Sequence, residues 1–327
     1  MIIIIDDYGV SLEKDNNSFK LCKGEEVRMI SPNKASAFHI FKPCSITTPA
    51  ILLAASSQIP ILFFDARAKV MARLWEPGFG NLPELRYNQL LFARSPEGLL
   101  WVARCLHLKT AGQLSVLKHC RNRLSREILQ LDNAIKQLPD YNEKLKLNTT
   151  PESLRGTEAV ISKLYWQGLA EAMEQHTPFG KRTRRPAHDR FNALINYGYG
   201  MLYSTVETAA YTAGLDPSIG ILHTEGYKRP ALVFDAIEPF RAWVDRLVAD
   251  LALHDKISSD YFEENETGGI WLAKKGKQVF IPRFYEMMNE ATLFNNKRIK
   301  RKDQVQYLLT ALAQYLLKEF KAPELYA

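Results

Sequence analysis

The sequence predicts an α+β protein in which a small, β-sandwich-like N-terminal domain precedes a larger all-α catalytic domain. Short apolar runs separated by turn-forming residues fill positions 1–75, a pattern typical of strands. From position 86 onward apolar residues recur every three or four positions, which is typical of helices. The segment EPGFGNLPEL at 76–85 concentrates proline and glycine where the pattern changes. We therefore expect domains at 1–75 and 86–327, joined by a linker at 76–85.

The N-terminal domain is predicted strand by strand. Five runs have strand character, with turn-forming residues such as Asn16 and Gly24 between them: IIIID, VSLEK, SFKLC, EVRMI and AFHIF. The run PAILLAASS at 49–57 predicts a helix, because proline is favoured near a helix start. An apolar strand at 61–65 and a partner strand at 69–75 complete the domain.

The second domain is predicted as a series of helices. An apolar stripe predicts one amphipathic helix through 116–138, and another helix follows at 152–173. A long and mostly buried helix begins at Pro186 and ends near Gly214, because proline suits the first turn and glycine the C-terminal stop.

The pattern of cysteines and the N-terminal residues indicate the cellular compartment in which the protein is expected. The four cysteines show no C-x-x-C pair, which argues against a zinc ribbon and a disulfide framework. The apolar run after Met1 is only four residues long and lacks a basic leader, so it predicts a strand and not a signal peptide. No run reaches membrane-spanning length. These features predict a cytoplasmic protein with reduced thiols.

The basic excess of the chain is concentrated in two clusters. The sequence has 43 basic and 36 acidic residues, which gives a net charge of +7. One cluster consists of Lys181, Arg182, Arg184 and Arg185, and the other lies at 297–302. Isolated clusters of this kind are usually solvated loops. A polyanionic partner follows only if both clusters flank a functional site.

Three acidic side chains and one histidine stand where the pattern calls for apolar residues. Glu158 lies within the apolar stripe of the 152–173 helix. His223 ends the apolar run IGILH, Asp235 ends the run ALVFD, and Glu238 follows three residues later. Each has an ordinary explanation: a glutamate paired with a base, a hydrogen-bonded core histidine, or a helix cap.

Taken together, these residues have the chemistry of a metal site. Glu158, His223 and Glu238 supply one nitrogen and two carboxylates, which suits Mg²⁺ or Mn²⁺ and leaves positions for water and phosphate oxygens. The H-E-x-x-H helix of zinc peptidases is absent. Phosphodiester chemistry is the reaction class that this donor set favours.

Four segments resemble one known family. The segments, in chain order, are RGTEAVISKLYW, RRPAHDRFNALINYGYGMLYS, GLDPSIGILHTEG and LVFDAIEPFRAWVD. Their order and spacing over about 150–250 resemble the CRISPR-associated adaptation endonuclease and integrase family, the larger of the two universal spacer-acquisition proteins. The region before position 75 is similar to that family's N-terminal β domain.

The resemblance implies an activity, a cofactor and partners. It implies that Glu158, His223 and Glu238 bind Mg²⁺ or Mn²⁺ and that Asp235 is an accessory acid. The family usually has glycine after the first glutamate, where this chain has Ala159. Members are homodimers that join a small ferredoxin-like partner protein and insert short duplex DNA, the prespacer, into the repeats of the CRISPR array.

The mechanism expected from the resemblance is metal-assisted phosphoryl transfer. A DNA 3′-hydroxyl is the nucleophile in integration, and water in its place gives nuclease activity. Lys181, Arg182, Arg184 and Arg185 are expected to hold the duplex backbone. Two alternatives stay open. One is a non-catalytic DNA-binding scaffold whose acids are capping or core-paired groups, and the other is an unrelated metallohydrolase acting on a small phosphoester.

Overall fold

The structure is a computed structural model, and the chain divides into two compact units, Met1–Asn81 and Leu82–Ala327. The residues that it describes are 2–65, 70–74, 83–147, 150–223, 230–254, 256–266 and 268–320.

Besides a 3-10 turn at Pro32–Lys34, the described part of the first unit consists of eight strands and one α-helix. These are β1 (Ile2–Ile5), β2 (Val10–Asp15), β3 (Ser18–Lys23), β4 (Glu26–Ile30), β5 (Ala37–Ile40), β6 (Ser45–Ile46), α1 (Thr48–Ser56), β7 (Ile61–Phe64) and β8 (Val70–Leu74). The seven predicted strands and the predicted helix are all present to within about two residues, and the short β6 is an addition.

Two four-stranded sheets form this unit, in the orders β1-β5-β7-β8 and β4-β3-β2-β6. In the first sheet β1, β5 and β7 are parallel and β8 is antiparallel to β7. Side chains alternate between the faces of a strand, so each sheet has one face available for a core. Leu12 and Phe19 from one sheet and Phe38 and Ile61 from the other are fully buried in the same apolar cluster. A sandwich-like β unit is therefore confirmed.

The second unit is mostly helical, as predicted, and it also contains two short β-hairpins. The helices are α2 (Pro83–Phe92), α3 (Pro96–Arg121), α4 (Leu129–Lys144), α5 (Pro151–Met173), α6 (Arg190–Thr212), α7 (Ala231–Ala236), α8 (Arg241–Leu253), α9 (Lys274–Asn289) and α10 (Arg301–Lys318). The hairpins pair β9 (Phe262–Glu264) with β10 (Ile270–Leu272) and β11 (Ala291–Phe294) with β12 (Lys297–Lys300).

The single helix predicted through 116–138 is wrong, because the chain turns between α3 and α4. The guanidinium of Arg121 donates hydrogen bonds to the carbonyls of Leu124 and Arg126 and to the carboxylate of Asp132. These bonds satisfy backbone carbonyl groups in the loop between the two helices, and the apolar periodicity does not reveal this loop. The stripe continues in α4, where its buried side chains pack against α5.

The long helix predicted from Pro186 begins four residues later, at Arg190. The Asp189 side chain accepts a hydrogen bond from the backbone N–H of Asn192 and so caps α6. Ala187 is extended instead, because its carbonyl accepts a hydrogen bond from the N–H of Ile270 at the edge of a hairpin. A side-chain cap and a strand pairing thus set the start of α6.

The predicted boundaries at 75 and 86 stay predictions. Of the linker predicted at 76–85, residues 76–82 lie outside the described residues, while residues 83–85 form the start of α2. In the described part of the chain, no helix is long and apolar enough to cross a membrane.

Three helices of the second unit pack closely around Gly198 of α6. A Cβ atom at this position would lie 2.5 Å from Cγ1 of Val244 on α8 and 3.0 Å from Cζ of Phe280 on α9. These distances are well inside ordinary van der Waals contact. A residue without a side chain is therefore needed at this position.

We expect Gly198→Ala to destabilise the protein, with Gly156→Ala as the matched control. Alanine is favoured over glycine in a helix by about 1 kcal/mol. A Cβ at Gly156 of α5 meets nothing within 4 Å, so the control should raise the free energy of unfolding. At Gly198 the clash costs about 1–3 kcal/mol and should outweigh that gain. Urea unfolding measures both, and equal stabilisation by the two substitutions would contradict the packing described.

Candidate active site

One buried lysine joins two of the predicted acidic residues. Lys109 Nζ lies 2.7 Å from Glu158 Oε1 and 2.6 Å from Glu238 Oε2. The exposed fractions of the three side chains are 8% for Lys109, 23% for Glu158 and 3% for Glu238. The carboxylates come from α5 and from a 3-10 turn at Glu238–Phe240, and the lysine comes from α3. Three separate elements therefore meet at a single ammonium group.

The sequence prediction did not include Lys109. It lies on the buried stripe of α3, three residues after Leu106 and four before Gln113. A charged residue within a helical apolar stripe is the same signal that marked Glu158. Lysine has a long aliphatic stem that often covers apolar surface, so its presence in a stripe is a weaker signal than that of an acid.

The charges of the side chains around Lys109 balance. Burial opposes the ionised form of Lys109, but the fields of Glu238 and Glu158 outweigh it and raise the lysine pKa. Burial also opposes the ionised form of Glu238, but Arg241 and Lys109 outweigh it and hold the pKa of its carboxyl at about 2. Arg241 Nε donates to Glu238 Oε1 over 2.8 Å. Two carboxylates and two cations thus form a neutral cluster.

Asp235 holds the segment that carries His223. Its two carboxylate oxygens accept hydrogen bonds from the backbone N–H groups of Ile221 at 2.7 Å, Leu222 at 3.2 Å and His223 at 3.3 Å. Asp235 is fully buried, and its Oδ1 also lies 2.7 Å from Nδ1 of His223. Both oxygens of Asp235 are therefore occupied by contacts within the chain, and the acid supports the segment that carries His223.

The contact with Asp235 orients the imidazole of His223. When Nδ1 donates its proton to Asp235, the lone pair of Nε2 is left for another partner. Burial lowers the pKa of His223, but the hydrogen bond to Asp235 and the charges of Asp235, Glu238 and Glu158 outweigh it, and the pKa is raised. The histidine therefore lies within the field of both carboxylates that contact Lys109.

A second bond ties the His223 segment to the helix that carries Glu158. Arg155, one turn before Glu158 on α5, donates from Nη2 to the carbonyl of Leu222 over 2.7 Å. His223, Glu158 and Glu238 are thus held in one region by bonds among α3, α5, α7 and the 221–223 segment.

Arg241 extends the cluster into a buried polar network. Its Nη2 donates to the hydroxyl of Tyr203 over 2.7 Å, and its guanidinium lies 4.7 Å from the ring centre of Tyr199. The hydroxyl of Tyr199 donates to Asp245 over 2.6 Å, and the hydroxyl of Tyr165 donates to the other oxygen of Asp245 over 2.8 Å. The network fixes Arg241, and through it the carboxylate of Glu238.

The acids do not act as helix caps. The turn at Glu238–Phe240 and helix α8 both begin without a side-chain cap hydrogen bond. The core-paired alternative describes the contacts of Glu158 and Glu238 correctly, since both are paired with Lys109. Pairing with a base and binding of a metal use the same oxygens, so the pairing does not by itself identify the function.

The donor types present, two carboxylates and an imidazole, suit a divalent cation. Glu238 Oε2 is buried and lies 2.6 Å from the ammonium of Lys109, so it is directed at a position that already holds a cation. Glu158 and Glu238 already place one oxygen each beside a common cation, and the imidazole of His223 is oriented nearby. Within the described ranges no three His, Cys, Asp or Glu side chains are gathered as a bound metal requires. Lys109 stands between the two carboxylates instead.

The basic cluster near 181–185 divides into two groups. Arg182 points inward, where Nη1 and Nη2 donate to the side-chain oxygens of Asn192 and Asn196 and the guanidinium lies 5.4 Å from the ring centre of Trp166. Lys181, Arg184 and Arg185 are exposed. Arg182, one of the four residues predicted to hold DNA, is thus bonded within the protein, while the other three side chains face solvent.

Comparison with known proteins identifies relatives along most of the chain. A sequence family described as "CRISPR associated protein Cas1" matches residues 3–286. A protein from Thermus thermophilus, "CRISPR-associated endonuclease Cas1 1", is 29% identical over 269 residues, which cover 82% of this chain and 80% of the relative.

Two solved structures share the fold. One is described as "Casposase bound to integration product", with a TM-score of 0.81 and 20% identity, and the match covers 100% of this chain and 96% of the casposase chain. The other, a Cas1 protein from Thermotoga maritima, has a TM-score of 0.79 and 22% identity, and covers 99% of this chain and 100% of its own. At these identities the likeness concerns the fold.

We expect Lys109→Met to lower the free energy of unfolding by roughly 3 kcal/mol in metal-free buffer. Methionine fills the same volume but leaves the carboxylates of Glu158 and Glu238 facing each other with one cation removed. Lys118→Met is the matched control, because Lys118 lies on the exposed side of the same helix, and it should change stability by less than about 0.5 kcal/mol. Urea unfolding compares them. Equal effects of the two substitutions would show that Lys109 does not hold the acids together.

Asp245 should make stability depend on pH. Burial raises the pKa of its carboxyl to about 6, against the opposing hydrogen bonds from Tyr199 and Tyr165. The folded-state pKa exceeds the unfolded one, about 3.9, so stability from the protonated form is complete below about pH 4 and is lost as pH rises through 6. Relative to Asp245→Asn, wild type should lose roughly 2 kcal/mol between pH 4 and pH 7. If the free energies of unfolding of wild type and Asp245→Asn change in parallel with pH, the assignment to Asp245 is contradicted.

Proposed function

The chain belongs to the CRISPR-associated Cas1 family of endonucleases and integrases, and we propose that it cuts and joins phosphodiester bonds at the site of Glu158, His223 and Glu238. The observation that carries the proposal is the convergence of two carboxylates, the buried Glu238 and the partly buried Glu158, on one cation, Lys109 Nζ, at 2.6 and 2.7 Å. An oriented histidine lies within the field of both acids. This donor set is the one that the family resemblance implies for the metal ligands.

Glu158, Glu238 and Nε2 of His223 would hold a divalent cation, Mg²⁺ or Mn²⁺. Such an ion supplies Lewis-acid chemistry, because it withdraws charge from the phosphate and stabilises the departing oxygen. Asp235 contributes by holding the His223 backbone and the proton on Nδ1, which selects the tautomer of the neutral ring whose Nε2 lone pair is available for ligation. Arg241 neutralises and positions the second oxygen of Glu238.

In the metal-free protein, Lys109 bridges the two carboxylates that would bind the metal. The oxygens that contact its ammonium are oxygens that a metal would take, and the ammonium and a divalent ion cannot share that position without strong repulsion. Binding of a divalent ion would therefore require Lys109 Nζ to move away from Glu158 and Glu238. A displaced ammonium beside a phosphate would contribute positive charge to the substrate side of the site.

One site would serve two reactions. In each, an oxygen nucleophile forms a new P–O bond while the bond from phosphorus to the leaving oxygen breaks. Water as the nucleophile gives cleavage, and a DNA 3′-hydroxyl gives strand joining. The substrate in the second reaction is a short duplex, the prespacer, and the target is a repeat of the CRISPR array.

We propose that the protein works as a homodimer with a small ferredoxin-like partner, as the family resemblance implies. Duplex DNA would lie along basic surface that includes Lys181, Arg184 and Arg185, which are exposed. Arg182 has a different role in this proposal, because its guanidinium holds Asn192 and Asn196 and so fixes the shape of the basic loop.

One observation favours a second candidate, a DNA-binding scaffold without catalysis. Both central carboxylates are already paired with bases, as core-stabilising acids would be. The scaffold predicts duplex binding that is independent of metal, with no strand transfer. Strand transfer that is lost on adding EDTA and restored by Mn²⁺ rejects the scaffold.

The catalytic proposal predicts loss of activity when any ligand is replaced. Glu158→Gln, His223→Asn and Glu238→Gln should each lower integration of a labelled duplex into a CRISPR repeat by at least about 100-fold. Each should also weaken Mn²⁺ binding in calorimetry. Asp235→Asn should weaken Mn²⁺ binding by about 10- to 100-fold, because it supports a ligand and is not one itself.

Glu152→Gln is the matched control for these variants. Glu152 lies on the same helix as Glu158, and its side chain is 79% exposed. The control should keep wild-type integration and Mn²⁺ affinity. Full activity in a folded Glu158, His223 or Glu238 variant, with folding verified by thermal unfolding, would remove that residue from the ligand set.

A further inference from the structure

The hairpin formed by β11 and β12, residues 291–300, has a turn that fixes which side chains share a face. Asn295 and Asn296 form its two-residue turn with φ angles of 48° and 61°, the left-handed conformation that such a turn requires. The register pairs Leu293 with Arg298 and Ala291 with Lys300. Because side chains alternate along a strand, these four residues lie on one face of the hairpin.

The opposite face of the hairpin is attached to α10. The ring centres of Phe294 and Tyr307 lie 5.3 Å apart. Gln304 of α10 donates from Nε2 to Thr292 Oγ1 over 2.8 Å and to the carbonyl of Ile299 over 2.9 Å. The hairpin is therefore held at a fixed orientation, with its other face turned outward.

The outward face combines an exposed apolar side chain with cations. Leu293 is 74% exposed, and Arg298 and Lys300 are exposed beside it. Arg298 Nη2 donates to the carbonyl of Ala291 over 3.1 Å, which lays the guanidinium across the face. The ten residues 291–300 contain no acid.

Four cations of this region have no carboxylate partner within the described ranges of the chain. Among the described residues, Lys297, Arg298, Lys300 and Lys302 form no ion pair, whereas Arg301 pairs with Glu290. Lys300 and Lys302 also flank the first residue of α10, where the helix dipole disfavours positive charge by about 0.3–1 kcal/mol each. Asp303 in the first turn of α10 offsets part of this cost, and an external polyanion would stabilise the four cations that form no ion pair.

We propose that the outward face of this hairpin docks on duplex DNA, with Arg298 and Lys300 against phosphates and Leu293 against the sugars between them. Residues two apart on a strand are separated by about 7 Å, so the two cations reach separate phosphates. The contact reads no base and adds sequence-independent affinity. This inference rests on the proposed function, because it assumes that the protein binds duplex DNA.

The test is the salt dependence of duplex affinity for the double variant Arg298→Gln with Lys300→Gln. Fluorescence anisotropy with a labelled duplex gives Kd between about 50 and 200 mM salt. Losing two phosphate contacts lowers the slope of log Kd against log salt by about 1.8. Over that range wild type should lose about 12-fold more affinity than the variant. Leu293→Ser should weaken binding with the slope unchanged.

The matched control is Lys136→Gln with Lys318→Gln, which removes two exposed lysines from helices α4 and α10. It should keep the wild-type slope. A hairpin variant that is folded and binds with the wild-type slope and affinity overturns the inference. Normal DNA binding with loss of a protein partner also overturns it, because the face is then a protein-docking surface. A wild-type chain without duplex affinity contradicts the proposed function itself.

Discussion

The candidate active site depends on one electrostatic constraint, the neutralisation of the buried Glu238 carboxylate and the partly buried Glu158 carboxylate by the ammonium of Lys109. Glu158 and Glu238 arrive from different elements and would repel each other if both were ionised without a cation between them. Because α3, α5 and the 238–240 turn all contribute to this contact, the geometry of the site and the packing of the helical unit share a cause. In the proposed function, a divalent ion would take the place of this ammonium.

Two supporting layers surround that contact. Asp235 is saturated by backbone N–H groups and by His223, so it converts the irregular 221–223 segment into a rigid support for an imidazole. Arg241 holds the other side of Glu238 and is held in turn by tyrosines that lead to Asp245. Buried polar networks of this kind are stable only when their members are satisfied, which ties the orientation of the carboxylates to the core.

Much of the fold and part of the site could be predicted from the sequence. Strand runs and helix periodicity indicate the two kinds of domain, and an acid inside an apolar stripe marks Glu158. Other features are long-range. The turn after α3 depends on Arg121, the start of α6 depends on a strand pairing at Ala187, and the inward direction of Arg182 depends on Asn192 and Asn196. Lys109 gave the same stripe signal as Glu158, but lysine stems are common on apolar surfaces.

We propose that Lys109 occupies the place of a metal ion between Glu158 and Glu238. Diffraction from crystals containing Mn²⁺, recorded at a wavelength where manganese scatters anomalously, tests it directly. We expect one anomalous peak bonded to Glu158, Glu238 and Nε2 of His223, with Lys109 Nζ withdrawn from the two carboxylates. A peak bonded to other residues, or an ammonium that still contacts both acids while manganese is bound elsewhere, would contradict it.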